Sequence, residues 1–358
     1  MSERPVVAFQ GRREGRSAFA LVNAQWSRAL AAAGYEVVDY RAGAAAPDVL
    51  IHHDFESHFT AFEPPPGAAC VAVRTWDFGP LPSAWASKIN REFAQYWAHS
   101  AWIAQQARSG GVTEDRIRIV PHGIDPAVFR PDGPRCELPT GKGFRFLFVG
   151  GVSLRKGSDI LIEAYRRAFT ADDDVCLVLK DHSDDLFYRE NHARARIEEL
   201  KGDPRAPDLV HLDRFLDESD LAALYRSCDV AVFPYRAEGF CLPILEAMAC
   251  GVPAIVPEFG ACLDFCGPST SYLIKPRRIR APVSRRFGVA LGFKEDITEV
   301  DFCEVPVERL VEALRAARNE SPAERRSRSV AGVDRAHGSF TWSHATETMR
   351  RQIRQLAG

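Results

Sequence analysis

Asp229-Val230-Ala231-Val232-Phe233-Pro234-Tyr235-Arg236-Ala237-Glu238-Gly239-Phe240-Cys241-Leu242-Pro243-Ile244-Leu245-Glu246-Ala247-Met248-Ala249-Cys250-Gly251 holds a strand, a turn and a helix. The apolar run Asp229 to Phe233 predicts a buried strand that stops at Pro234. Pro243 suits a first helical position and Gly251 a helix stop, so a helix is expected near Pro243 to Cys250. Amides of Phe240, Cys241 and Leu242 would crown its N-terminus, an arrangement suited to an anion. Glu238 and Glu246 frame that turn. A carboxylate gains nothing from a neighbouring phosphate, so these two acids suit hydroxyls, as on a ribose or a sugar. Taken alone, Glu246 is explained equally by a favourable charge near the helix dipole.

The same strand–turn–helix grammar recurs upstream. Phe144 to Val149 is an apolar strand leading into Gly150-Gly151-Val152-Ser153-Leu154-Arg155-Lys156-Gly157, then a helix near Asp159 to Phe169. Glycines permit close backbone approach, and Arg155 with Lys156, one of seven lysines, supplies charge for a phosphate. A solvated Arg-Lys pair at a helix start is the competing explanation. Neither a Walker loop nor Gly-x-Gly-x-x-Gly after the first strand is present. Further strands are expected at Val175 to Lys180, Leu209 to Leu212 and Ala254 to Val256, with helices near Leu186 to Leu200 and Glu218 to Cys228.

The N-terminal part repeats the alternation. Strands are expected at Val6 to Phe9, Tyr35 to Tyr40, Val49 to His52, Ala69 to Val73 and Arg116 to Val120. Helices are expected at Ala18 to Ala33, Ser83 to Trp97 and Ala101 to Arg108. Continuous apolar strands between helices predict parallel sheets covered on both faces. A length of 358 residues suits two domains. The proline- and glycine-rich stretch Pro121 to Gly143 reads as their linker. The expected domains are 1–135 and 143–339, doubly wound and Rossmann-like, facing a central cleft. An amphipathic helix from Phe340 to Leu356 crosses back to the first.

Composition excludes other classes. A net charge of −2 lacks the basic footprint of a nucleic-acid binder, and 46% hydrophobic residues suffice for two cores. No apolar run is long enough for a membrane span, and Met1 to Gly11 is not patterned as a signal peptide, so a cytoplasmic protein is expected. Nine scattered cysteines without Cys-x-x-Cys suggest neither a disulfide framework nor a zinc ribbon. Cys262 and Cys266, one helical turn apart, are better explained as core than as metal ligands. His52-His53-Asp54 and Arg74-Thr75-Trp76-Asp77 are site candidates by strand-end position only, and an edge hydrogen bond explains the histidines more simply. Trp76, Phe78, Trp85, Tyr96, Trp97 and Trp102 fit core better than sugar stacking. Basic clusters Arg277-Arg278, Arg285-Arg286 and Arg325-Arg326-Arg328 are candidates for peripheral membrane contact, against a solvated face. Ile274 to Val305 reads as a long connection or small insertion.

Glu238 through Leu242-Pro243, followed by Glu246-Ala247-Met248-Ala249-Cys250-Gly251-Val252-Pro253, resembles the signature of retaining, nucleotide-sugar-dependent glycosyltransferases of family four, which have the GT-B fold. Seven residues separate the two glutamates, as in that family. Phe148 to Ala164 looks like its phosphate-binding segment. Pro121-His122-Gly123-Ile124-Asp125, with Phe129 and Pro131, resembles the close of its first domain, and Phe340-Thr341-Trp342 its crossover helix. The resemblance implies a hexosyltransferase of carbohydrate biosynthesis without bound cofactor or metal. Its donor would be an NDP-sugar, UDP- or GDP-linked, and its acceptor a saccharide, lipid-linked or small-molecule hydroxyl. Glu246 would hold the ribose and Glu238 the donor sugar. Arg155, Lys156, Gly150, Gly151, Gly239 and the amides of Phe240 to Leu242 would hold the diphosphate. Gly151 stands where the family often has arginine, so the guanidinium role passes to Arg155. Asp264 replaces a longer acid, and the strand Ala69 to Val73 ends without the family's histidine. His122, Asp77, Arg74 and Asp264 complete the candidates. The rival readings are a catalytically silent nucleotide-sugar-binding scaffold, a GT-B epimerase and a phosphorylase.

Overall fold

The computed structural model describes residues 5–15, 17–41, 43, 45–53, 59, 62–181, 192–282 and 299–357. Two compact units account for them. One takes the described residues of 1–123 and 340–357, the other those of 124–282 and 299–339.

The first unit is built on a six-stranded parallel sheet of order β2-β1-β3-β4-β5-β6. Its strands are β1 (Val6–Gln10), β2 (Glu36–Asp39), β3 (Val49–His52), β4 (Ala69–Ala72), β5 (Gln95–Ala98) and β6 (Ile117–Ile119). Helices α1 (Ala18–Ala32), α2 (Ser83–Glu92) and α3 (Ala101–Ser109) connect them. Every residue of β3 and β5 is buried, which is why these strands are mostly apolar rather than alternating, with His52 and Gln95 as their polar members. The expected single helix Ser83 to Trp97 is corrected here. Helix α2 ends at Glu92, Phe93 is extended (φ −115°), and Ala94 N–H bonds to Cys70 O at 2.8 Å. Tyr96 and Trp97 favour a strand buried on both faces, which helical periodicity alone could not separate from the helix before it.

The second unit has a six-stranded parallel sheet of order β12-β11-β10-β7-β8-β9. Its strands are β7 (Phe144–Val149), β8 (Val175–Asp181), β9 (Asp208–Asp213), β10 (Val230–Val232), β11 (Ala254–Pro257) and β12 (Ser271–Ile274). The helices are α4 (Ser158–Ala168), α5 (His192–Gly202), α6 (Glu218–Arg226), α7 (Leu242–Ala249), α8 (Val307–Asn319) and α9 (Pro322–Ser339). Phe146, Phe148, Leu161, Tyr165, Leu177 and Leu179 share one core with Leu310 and Leu314 of α8. Each such side chain contributes roughly 1.5–3 kcal/mol of burial. Of the helix expected over Leu186 to Leu200, residues 186–191 lie outside the described ones. Sequence patterning did not single out α8 and α9.

The chain passes from one unit to the other at Gly123–Ile124, inside the proline- and glycine-rich stretch. The rest of that stretch is anchored to the second unit. Cys136 N–H donates to Ser227 Oγ at 2.8 Å, and Arg226 Nε to Pro134 O at 2.7 Å. The connection expected from Ile274 to Val305 contains an antiparallel pair, β13 (Arg277–Pro282) and β14 (Glu299–Glu304); residues 283–298, with Arg285-Arg286, lie outside the described ones. The final helix α10 (Trp342–Ala357) packs on α1 and β3.

Candidate active site

The chain runs from β7 to β8 and β9 on one side of the second sheet, then crosses to β10, β11 and β12 on the other. The carboxyl ends of β7 and β10 therefore diverge at a topological switch point, where open α/β sheets bind ligands. The two loops singled out in the sequence leave those two strand ends.

They are locked together. A Cβ on Gly157 would stand 1.9 Å from Pro234 O, and Gly157 has φ +73°, so only glycine lets the loops approach so closely. Arg236 N–H donates to Arg155 O at 2.8 Å, and the Arg236 guanidinium forks onto Asp159 at 2.8 and 2.9 Å. That bidentate pair joins the β10 loop to the first turn of α4. Neither α4 nor α7 has a side-chain cap, in contrast to α1, α3 and α6, capped by Ser17, Ser100 and Asp217. Cys241 precedes α7 with φ 66°, a left-handed conformation that turns the chain sharply into the helix.

Arg155, Lys156 and Glu238 converge in this corner. Arg155 Nη1 donates to Glu238 Oε1 at 2.8 Å and to Ala237 O at 3.0 Å, and Lys156 Nζ pairs with the same Oε1. Gly150 (φ +147°) lies beneath the lysine stem, since a Cβ there would be 3.9 Å from Lys156 Cδ. Burial works to raise the Glu238 carboxyl, but the two cations outweigh it and hold it below its ordinary value. With Glu238 ionised, the three side chains carry a net +1 under an uncapped helix start. That surplus suits a group with more than one negative charge.

Glu246 is held differently. It is buried on α7, and Tyr225 of α6 donates its hydroxyl to Oε2 at 2.9 Å. Burial pushes this carboxyl up to about 7, against the opposing Tyr225 hydrogen bond. Asp264, half-buried, ends a 3₁₀ turn whose backbone oxygen accepts from Arg335 Nη2 at 2.6 Å. Cys262 receives the Tyr235 hydroxyl at 2.9 Å, and Cys266 lies 3.8 Å from Met248 Sδ, so both work as core. Among the described residues no three His, Cys, Asp or Glu side chains are placed to hold a metal. Arg278 forks onto Asp301, and Arg328 pairs with Glu320 at 2.8 Å over the Tyr272 ring, so these members of the basic clusters serve internal pairs.

In the first unit the strand ends gather His53, His99 and His122. Ring centroids are 4.5 Å apart for His99–His122 and 6.0 Å for His53–His99, and Trp26 lies within 5.7 Å of His53 and His122. Burial keeps all three neutral, with His99 lowered to about 4. His53 Nδ1 meets Asn23 Oδ1 at 2.7 Å, the simple explanation the sequence favoured for it, and Asp54 lies outside the described residues. Arg74 is buried between Phe59 and Trp85, 4.8 and 4.7 Å from the ring centroids. Asp77 is half-buried. His99 was missed, because the helix expected over Ser83 to Trp97 hid the strand that delivers it. Its Nε2 lies 2.6 Å from Thr75 Oγ1 at the end of β4. The tetrad Gln95-Tyr96-Trp97-Ala98 was the signal that could have found it.

The sequence model of the family "Glycosyl transferases group 1" matches residues 135–283, the part of the chain that carries both loops. That segment is similar to the glycosyl transferases group 1. Among curated relatives, the chain is 27% identical over 207 residues to the MMP alpha-(1->4)-mannosyltransferase of Mycolicibacterium hassiacum, covering 55% of the chain and 46% of that protein. It is 31% identical over 167 residues to the D-inositol 3-phosphate glycosyltransferase of Pseudarthrobacter chlorophenolicus, covering 45% and 38%. The chain thus spans less than half the length of these two relatives. Its fold is that of the GT-B glycosyltransferases. A glycosyltransferase from Rickettsia africae superposes with a TM-score of 0.70 at 11% identity, covering 99% of each chain. HepE from Anabaena, solved with UDP and glucose, gives 0.70 at 12% identity, covering 98% of this chain and 100% of its own.

Proposed function

We propose that this protein is a retaining glycosyltransferase that moves a sugar from a nucleoside-diphosphate-sugar to a hydroxyl of an acceptor. One observation carries the reading: Arg155 and Lys156 converge on buried Glu238 at the β7/β10 switch point. The diphosphate takes up the two cations and the first-turn amides of α7. Charge grows on the leaving phosphate as the glycosidic bond breaks, and preorganised cations stabilise it there. Glu238, freed from part of its pairing, accepts from donor-sugar hydroxyls. Glu246 with Tyr225 receives the ribose hydroxyls. The acceptor hydroxyl attacks on the face the phosphate leaves, so anomeric configuration is kept without a protein nucleophile. A carboxylate clamped between two cations is a weak nucleophile, which disfavours a glycosyl-enzyme route. The first unit holds the acceptor. UDP in HepE supports UDP-sugars as the first donors to try.

The test is proton NMR of the product formed from UDP- and GDP-hexoses with a panel of hydroxyl acceptors. An axial linkage from an axial donor supports the reading. Inversion overturns the retaining course, and nucleotide binding without turnover under any acceptor turns the reading to a silent scaffold.

A further inference from the structure

We propose that a cleft in the first unit, at the carboxyl ends of β1 and β2, binds a phosphate ester carried by the acceptor. This rests on the reading that the donor belongs to the second unit. The cleft has a volume of about 630 Å³, suited to a sugar phosphate. Arg12, Arg13 and Arg28 line it, against the carboxylates of Glu14 and Asp39.

The charges do not cancel. Arg13 Nε donates to Asp39 Oδ1 at 2.6 Å, and that hydrogen bond holds the Asp39 carboxyl below its usual value. This pair makes one neutral wall. Arg12 and Arg28 then stand against Glu14 alone, and among the described residues neither arginine forms an ion pair. A net +1 from two guanidinium forks suits a tetrahedral oxyanion with several acceptor oxygens.

The cleft is built rather than incidental. Gly11 has φ +142°, and a Cβ on it would stand 2.0 Å from His53 O, so glycine is required where the chain leaves β1. Buried Asn23 donates to both Arg12 O and His53 O at 2.9 Å, which fixes the arginine-bearing loop to β3. Ala24, Ser27 and Arg28 share one face of α1 at i, i+3 and i+4. The small alanine leaves the hollow and Arg28 rims it. Ser27 is only 7% exposed, and its hydroxyl has no hydrogen-bond partner among the described residues.

The test is calorimetric titration of the full chain with glucose 6-phosphate, glucuronate and glucose, each in saturating UDP so that the diphosphate site is filled. Glucose 6-phosphate is expected to bind and glucose not to. Arg12→Glu/Arg28→Glu should weaken glucose 6-phosphate by about tenfold or more while leaving UDP affinity unchanged. Arg28→Lys, which keeps the charge, should retain part of the binding. Glucuronate binding as tightly would keep the anion site but assign it to a carboxylate. Unchanged affinity in the double variant, or glucose 6-phosphate binding no better than glucose, overturns the proposal. Wild-type protein that fails to bind UDP overturns the donor reading instead, and the comparison of phosphate with glucose still decides this one.

Discussion

Lys156, in the loop after β7, and Glu246, on α7, face opposite electrostatic surroundings. Lys156 and Arg155 share one carboxylate, so removing Lys156 leaves Glu238 with a single cation and the proposed diphosphate with less positive charge. Lys156→Ala should lower kcat by about a hundredfold or more with little change in folding, measured by steady-state kinetics and thermal melting. Glu246 is a carboxyl that burial raises from 4.5 to about 7. Between those values the native state binds more protons than the unfolded chain, so the site loses stability as pH rises. Above pH 7 the cost reaches on the order of 3 kcal/mol. Glu246→Gln should therefore raise Tm at pH 8 and not at pH 4, while weakening nucleotide binding. Equal melting shifts at both values would contradict the buried-carboxyl account. Both glutamates, Arg155 and Lys156 were legible in sequence because helix starts and strand ends have local signals. Tyr225, the donor to Glu246, was not, since its role comes from packing between α6 and α7.

Among the elements, the β7 and β10 loops were readable one at a time and their contact was not. Gly157 looked like part of a glycine-rich turn; its actual constraint is Pro234 O, 77 residues away in sequence. Gly157→Ala forces both φ +73° and a 1.9 Å clash, so it should destabilise the second unit by about 3 kcal/mol or more, or prevent its folding, as denaturant titration would report. A loss below about 1 kcal/mol would mean the loops are not locked. The strand β5 shows the opposite limit. A strand buried on both faces lacks alternation, so it merged with α2 in the sequence reading and hid His99. The histidines it completes give the first unit an acid sensitivity. Their folded pKa values lie below 6.5, with His99 at about 4, so the unfolded chain takes up protons first as pH falls. Stability is full above 6.5 and lost progressively toward pH 4. Tryptophan fluorescence, through Trp26 beside His53 and His122, should show unfolding at lower temperature across that window. A melting temperature constant from pH 7 to 4.5 would contradict this.

For the molecule as a whole, the sequence was most informative where chemistry constrains the backbone. The family match covers residues 135–283, and the switch-point corner lies within it. The first unit has the same strand–helix alternation but no local motif of comparable density. Its charged cleft arises from residues on β1, α1 and β2 that only the fold brings together. The α8 and α9 helices escaped notice because neither carries a motif, although α8 completes the second core. The central claim, that the β7/β10 corner is a nucleoside-diphosphate site, is tested most directly by calorimetry of UDP and GDP binding to the intact chain and to Glu246→Ala. The account predicts micromolar, magnesium-independent binding of one nucleotide to the wild type and its loss in the variant. Absence of binding to either nucleotide, or equal binding by Glu246→Ala, would contradict it.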